Sequence, residues 1–184
     1  MNEEKFLIAG FGGQGVMMIG QLLAYCGNKK GYNSLWLPSY GPETRGGTAN
    51  CSVIVSKEAI YSPIFMEACN VFVLNQPSLD RFISSVKNDG HLFYNSSLIT
   101  SVPNLKTIKI LGIPINELAM QLGNTKVANI VLLGAYLATS TLFTMDEMIA
   151  TLKDYLSDDK SKYFAINVEA LKLGYQYAKE HYQC

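Results

Sequence analysis

Apolar and polar positions along this chain switch repeatedly between short runs and helical spacing. Phe6–Ala9 is a brief apolar run closing on Gly10, which predicts a strand over Glu4–Ala9. Val16, Ile19, Leu22 and Leu23 then recur at the spacing of one helix face, predicting a helix over Gly13–Asn28. A second strand is expected over Asn33–Leu37. In Thr48–Ser56, Ala49, Cys51, Val53 and Val55 alternate with more polar residues, as in a half-buried strand. It follows its predecessor without an intervening helix, so this part of the sheet is expected to be antiparallel.

Ser62-Pro63 breaks the pattern. Cys69–Leu74 reads as a central strand, and Pro77 or Ser78 starts a helix to about Val86. Asn88-Asp89-Gly90 is expected to turn into a strand over His91–Tyr94, with another at Lys106–Leu111. Gly112-Ile113-Pro114 leads into a helix that Gly123 ends. The last third is helical: a buried helix over Lys126–Thr139, a Thr144–Glu147 capping box opening a helix to Leu156, and a charged linker over Ser157–Lys162. A C-terminal helix over Tyr163–His181 places Ala170, Leu173, Tyr177 and His181 on one stripe. Strands alternating with helices predict an α/β protein, a single three-layer α/β/α domain over residues 1–184 with a mixed, mostly parallel sheet.

Two glycine-rich segments sit where strands end. The first is Gly10-Phe11-Gly12-Gly13-Gln14-Gly15. A helix opening behind it would turn free backbone N–H groups and a positive dipole end toward an anion. The spacing matches the dinucleotide fingerprint, but no Asp or Glu lies between Glu4 and Glu43 to hold a ribose. Val16 and Met17 replace the Lys and Ser/Thr of a phosphate-loop NTPase, which excludes that class. Three readings stay open: close helix–strand packing, a mouth facing a ligand or partner, and an NAD or FAD site. The second segment, Ser39 to Gly47, is stiffened by Pro42 and bent by Gly41, Gly46 and Gly47. It presents Tyr40, Glu43 and Arg45; an Arg there suits a carboxylate or phosphate, and Tyr and Arg suit a protein interface. A surface Glu43–Arg45 ion pair is the plain alternative.

Charge changes the picture by exclusion. Fifteen basic and fifteen acidic residues give a formal net charge of +0, so no electrostatic case exists for nucleic acid. Charged residues make up 16% of the chain, against about 25% in ordinary soluble domains. Such a surface suits a protein that hides part of itself against partners. Cys26, Cys51, Cys69 and Cys184 show no C-x-x-C spacing and suggest neither zinc nor an iron–sulfur cluster. No Ser-His-Asp or Cys-His set is visible and there are only two histidines, so no catalytic residue and no metal ligand is assigned. The polar start MNEEK is unlike a signal peptide, and polar residues dilute the uncharged run Val127–Met145, so a cytoplasmic location without membrane is expected.

The two segments together resemble the gamma subunit, or gamma domain, of the 2-oxoacid:ferredoxin oxidoreductases. The residues that carry this are Gly10 to Val16 and Tyr40-Gly41-Pro42-Glu43-Thr44-Arg45-Gly46-Gly47, supported by Ser62-Pro63, Asn129–Gly134 and Asn167–Gly174. The wording YGPETRGG resembles the 2-oxoglutarate type. The resemblance implies a complex that oxidatively decarboxylates a 2-oxoacid to an acyl-CoA and reduces ferredoxin. Thiamine diphosphate, magnesium and iron–sulfur clusters would lie in alpha and beta partners and a ferredoxin-like delta chain. This chain, inactive alone, would shape the site and contact coenzyme A or its partners through Gly10, Gly12, Gly13, Gln14 and Gly15 and through Tyr40, Glu43, Arg45, Gly46 and Gly47. The alternatives are a gamma subunit serving pyruvate or 2-oxoisovalerate, a stand-alone dinucleotide-binding protein and a purely structural module.

Overall fold

The computed structural model describes residues 3–41, 47–156 and 162–182. Six strands form one sheet: β1 (Glu3–Phe11), β2 (Asn33–Tyr40), β3 (Thr48–Ser56), β4 (Ala68–Val73), β5 (Val86–Asn95) and β6 (Lys109–Ile113). Their order is β2-β3-β1-β4-β5-β6. β3 pairs antiparallel with both β2 and β1, whereas β1, β4, β5 and β6 run parallel. The mixed sheet is therefore as expected, with β4 near its centre.

Alternation along each strand divides the core. Phe6, Ile8, Phe72 and Phe93 face a large cluster built by α1 (Val16–Lys29), α3 (Ile115–Gln121), α4 (Ala128–Leu137), α5 (Met145–Tyr155) and α6 (Phe164–His181). Leu7, Ala9, Val71, Val73 and Leu92 face a smaller cluster under α2 (Gln76–Phe82), closed by Ile99. The outer layers are thus unequal, one built of five helices and the other of one short helix and connecting segments. Tyr136 of α4 is fully buried over the middle of the sheet, its ring 5.5 Å from Phe6, 5.6 Å from Phe72 and 5.9 Å from Phe93. The uncharged run holds α4, buried against the sheet and α6. No helix among the described residues is long and apolar enough to cross a membrane.

Several boundaries differ from the sequence expectation. α1 begins at Val16 because Gly13 and Gly15 take positive φ and spend the preceding residues on a turn. The helix expected to reach Val86 stops at Phe82 and tightens into a 3-10 turn over Ile83–Ser85. β5 begins at Val86, not His91. A register shift against β4 between Ala68 and Asn70, with Asp89 at φ 62, carries the strand through Asn88-Asp89-Gly90. β6 lies later than expected, at Lys109–Ile113. A 3-10 turn at Thr125–Val127 precedes α4. The capping box at Thr144 and Glu147 is present on α5. On α6 the buried stripe is Asn167, Ala170, Leu171, Gly174 and Ala178; His181 is exposed. Gly174 sets that rotation, because it is the residue that meets α4. Most of the expected charged linker lies outside the described residues.

Candidate functional site

β1, β4 and β5 end at the same edge of the sheet, where their C-terminal residues feed into loops. The sheet changes direction here: the chain leaving β1 turns toward β2 and β3 on one side, while β4 follows on the other. Such a crevice at the carboxyl ends of parallel strands is the usual seat of a ligand in α/β folds.

The first glycine segment forms one wall. Gln14 locks it from within: its Oε1 accepts from the Phe11 amide at 2.7 Å and from Asn75 Nδ2 at 2.9 Å, and its Nε2 donates to the Leu74 carbonyl at 3.3 Å. Asn75 in turn caps α2 by accepting from the Ser78 amide at 3.0 Å. Gln14 thus ties the β1 turn to the β4 turn while remaining partly exposed beside Gly13. A side chain at Gly10 would press on Gln14 and Val16, and one at Gly15 would overlap Asn129. At these two positions the packing reading holds. Gly12 and Gly13 are the outward pair: both are exposed, and at Gly13, with φ 97, a Cβ would meet nothing within 4 Å. α1 behind them carries no side-chain cap and no acid in its first turn.

The second segment adjoins the first. The Gly12 amide donates to the buried Gly47 at its carbonyl, 2.9 Å away, and the Gly41 amide donates to the Thr48 carbonyl at 2.7 Å. Tyr40 ends β2 with its side chain 67% exposed. Glu43, Arg45 and Gly46 lie outside the described residues, so whether Arg45 turns outward is not part of this geometry.

On the opposite wall the structure adds Asn95, Asn116, Met120 and Lys126, none of which the sequence marks as site residues. A cleft of about 310 Å³ is bounded by Gly13, Asn95, Asn116, Met120, Lys126 and Asn129. Asn129 Nδ2 donates to the Gly15 carbonyl at 3.3 Å, joining the start of α4 to the loop. Asn95 Nδ2 donates to Leu74 and to Asn116 Oδ1, each at 3.4 Å, and its Oδ1 accepts from the Ser97 amide at 3.1 Å. The only signal available was the recurrence of Asn at strand ends, which marks turns and caps and says nothing of their convergence. The cleft is therefore lined by Gly13, several side-chain amides, a lysine and an exposed methionine.

Two buried cysteines are not activated for covalent chemistry. Burial pushes the Cys51 thiol up to about 12 and raises Cys26 as well, which keeps both protonated. Burial, and then Lys109, lowers His91, which stacks on Phe93 with ring centres 5.8 Å apart.

A mixed α/β domain with a glycine-walled crevice at its strand ends is the class this geometry defines. Residues 5–177 match the family described as pyruvate ferredoxin/flavodoxin oxidoreductase, and the chain belongs to that family. The ketoisovalerate oxidoreductase subunit VorA of Methanothermobacter thermautotrophicus is 35% identical over 179 residues, covering 97% of this chain and 37% of the relative. The chain thus spans little more than a third of that relative's length. The 2-oxoglutarate synthase subunit KorC of Archaeoglobus fulgidus is 29% identical over 95% of this chain and 87% of its own. The keto/oxoacid ferredoxin oxidoreductase gamma subunit from Geobacter sulfurreducens PCA superposes with a TM-score of 0.81 at 26% identity, covering 96% of this chain and 99% of that one. The 2-oxoglutarate:ferredoxin oxidoreductase of Magnetococcus marinus, with 2-oxoglutarate, coenzyme A and succinyl-CoA bound, gives a TM-score of 0.87 at 20% identity. It covers all of this chain and 32% of that one, and shares the fold.

Proposed function

We propose that this chain is the gamma unit of a 2-oxoacid:ferredoxin oxidoreductase, acting with alpha and beta partners and a ferredoxin-like delta chain. The complex decarboxylates a 2-oxoacid, delivers the acyl group to coenzyme A and reduces ferredoxin. Family membership and coverage of nearly the whole Geobacter gamma subunit support the role. The absence of an activated Cys26 or Cys51 thiol agrees with chemistry housed in the partners. Here the crevice would receive the acyl acceptor: phosphate groups of coenzyme A against the amide of Gly13 and the uncapped start of α1, with Lys126 across the cleft. The observation that carries this reading is Gly13, exposed, left-handed and with open space where a side chain would stand.

The test is Gly13→Val in the assembled complex. The KM for coenzyme A should rise about tenfold, a loss of roughly 1.4 kcal/mol of uniform binding, with kcat at saturation and the KM for the 2-oxoacid unchanged. An unchanged KM for coenzyme A in a normally assembled complex would overturn the proposal.

The 2-oxoacid is 2-oxoglutarate on the wording of the Tyr40–Gly47 segment. The higher identity to the ketoisovalerate subunit, 35% against 29%, favours a branched-chain 2-oxoacid as the second reading. The ratio of kcat/KM for 2-oxoglutarate and ketoisovalerate, measured on one preparation, decides between them.

A further inference from the structure

The connection from β3 to β4, residues 57–67, holds Ser62-Pro63, one of the segments carrying the family resemblance. It lies at the opposite end of the sheet from the crevice. Three hydrogen bonds shape the loop. Ser62 Oγ accepts from the Ile64 amide at 3.2 Å and lies 3.1 Å from the Ile64 carbonyl, and Asn33 Nδ2 donates to the Glu58 carbonyl at 3.0 Å. Phe65 folds inward against the smaller core cluster, under Lys5 at 5.9 Å from its ring centre. Its neighbours do the opposite. Tyr61 is 95% exposed, Ile64 76% and Met66 88%. Ile64 and Met66 stand beside a groove of about 660 Å³ whose rim carries Glu3, Lys5, Glu67 and Lys87.

A loop that tucks one apolar side chain partly against the core and holds three others in water is organised for contact, since an aromatic, a methionine and an aliphatic inside a mixed-charge rim are the parts of a protein interface. The occupant follows from the length of the ketoisovalerate relative. There 97% of this chain corresponds to only 37% of the polypeptide, so the domain is covalently attached to a larger remainder. Interfaces between domains of one chain resemble transient protein–protein contacts, more polar than obligate ones, which matches a few apolar side chains set in a charged rim. The outer faces of the long helices are poor candidates, because Lys172, Gln176, Lys179 and Glu180 line the exposed side of α6.

We infer that Tyr61, Ile64 and Met66 dock the polypeptide corresponding to the part of the ketoisovalerate subunit that lies beyond this domain. The inference rests on the oxidoreductase reading and adds the surface through which assembly occurs. The partner would offer an apolar pocket for Ile64 and Met66, edged by charges opposing the Lys5–Lys87 and Glu3–Glu67 rim.

The experiment co-expresses the chain with the polypeptide from the same source that aligns with that unmatched part, and measures assembly by size-exclusion chromatography with light scattering. Ile64→Asp with Met66→Asp should weaken assembly at least about tenfold, as loss of a central interface anchor does. The melting temperature of the isolated chain should hold, because both side chains already stand in water. Amide exchange over residues 61–66 should slow in the wild-type complex. Assembly that survives the double substitution overturns the docking surface and leaves the oxidoreductase reading standing. Failure of the wild-type chain to assemble with that polypeptide overturns both. A wild-type homodimer that the same substitution breaks overturns the stated occupant in favour of a second copy.

Discussion

The Gly12 amide donates to the Gly47 carbonyl over 2.9 Å, which joins two segments far apart in sequence into one rim. Neither residue needs a side chain for this. The bond fixes the outward pair Gly12–Gly13 against the chain entering β3. Gly12 is exposed, yet its amide should exchange slowly in hydrogen-exchange NMR, since that N–H is spent on protein. Rapid exchange at Gly12 would show that the two segments are uncoupled.

Gln14 should prove structural. Gln14→Leu leaves the Phe11 amide and Asn75 Nδ2 without their acceptor, at about 1–3 kcal/mol for each buried group left unpaired. Urea denaturation should give a loss of about 2–4 kcal/mol. A variant as stable as the wild type would instead assign Gln14 to ligand contact alone.

α4 and α6 meet through glycine. A Cβ on Gly134 would overlap the backbone of Leu171, and one on Gly174 would overlap the backbone of Val131. Gly134→Ala or Gly174→Ala should each cost at least about 2 kcal/mol and lower the melting temperature by roughly 4–8 °C. The double variant should cost less than the sum, because helices already forced apart have room for the second methyl. Strict additivity would argue against a shared crossing.

Glu4 is buried and held by Asn70 Nδ2 at 3.2 Å and the Tyr136 hydroxyl at 3.4 Å. Burial raises its carboxyl above the ordinary 4.5, against smaller lowering effects from those two hydrogen bonds. The fold therefore binds this proton more tightly than the unfolded chain does. The stability tied to neutral Glu4 is complete below the unfolded value and is lost as pH rises through the raised one. Glu4→Gln keeps an acceptor and cannot ionise. Its stability relative to wild type should rise between about pH 4 and about pH 8, read from urea midpoints across that range. A flat difference would mean that Glu4 titrates as an ordinary carboxylate.

At the other edge of the sheet, the Tyr182 hydroxyl lies 2.7 Å from both the amide and the carbonyl oxygen of Gly112 in β6. It occupies backbone groups that would otherwise stand ready for a foreign strand. Tyr182→Phe should cost about 1 kcal/mol and introduce concentration-dependent self-association in light scattering. A variant that stays as dispersed as the wild type would show that the edge is guarded by other means.

Much of this architecture is legible in the residues. The alternation over Thr48–Ser56 marks β3 to its ends, because Ala49, Cys51, Val53 and Val55 are buried on one face while Thr48, Asn50 and Ser52 on the other are more open; Ile54 and Ser56 are buried as well. Asn88-Asp89-Gly90 misleads because it carries the composition of a turn while a bulge lets it continue as strand. The α6 stripe misleads for a different reason. Its rotation is chosen by the smallest residue, Gly174, which hydrophobic spacing ignores. At the crevice, the glycine segment announces itself, but sequence cannot separate Gly10 and Gly15, which serve packing, from Gly12 and Gly13, which face outward. Asn95, Asn116 and Lys126 come from separate connections, and only the order of strands brings them together.

The glycines of the α4–α6 crossing bear on how kinship with this family is to be read. Gly134 and Gly174 each close one of the later segments that carry the resemblance, Asn129–Gly134 and Asn167–Gly174. Those stretches record how near two rods may lie, a requirement indifferent to which 2-oxoacid is consumed. A relative recognised by them shares a skeleton with this chain, and they carry no information on what that relative acts upon.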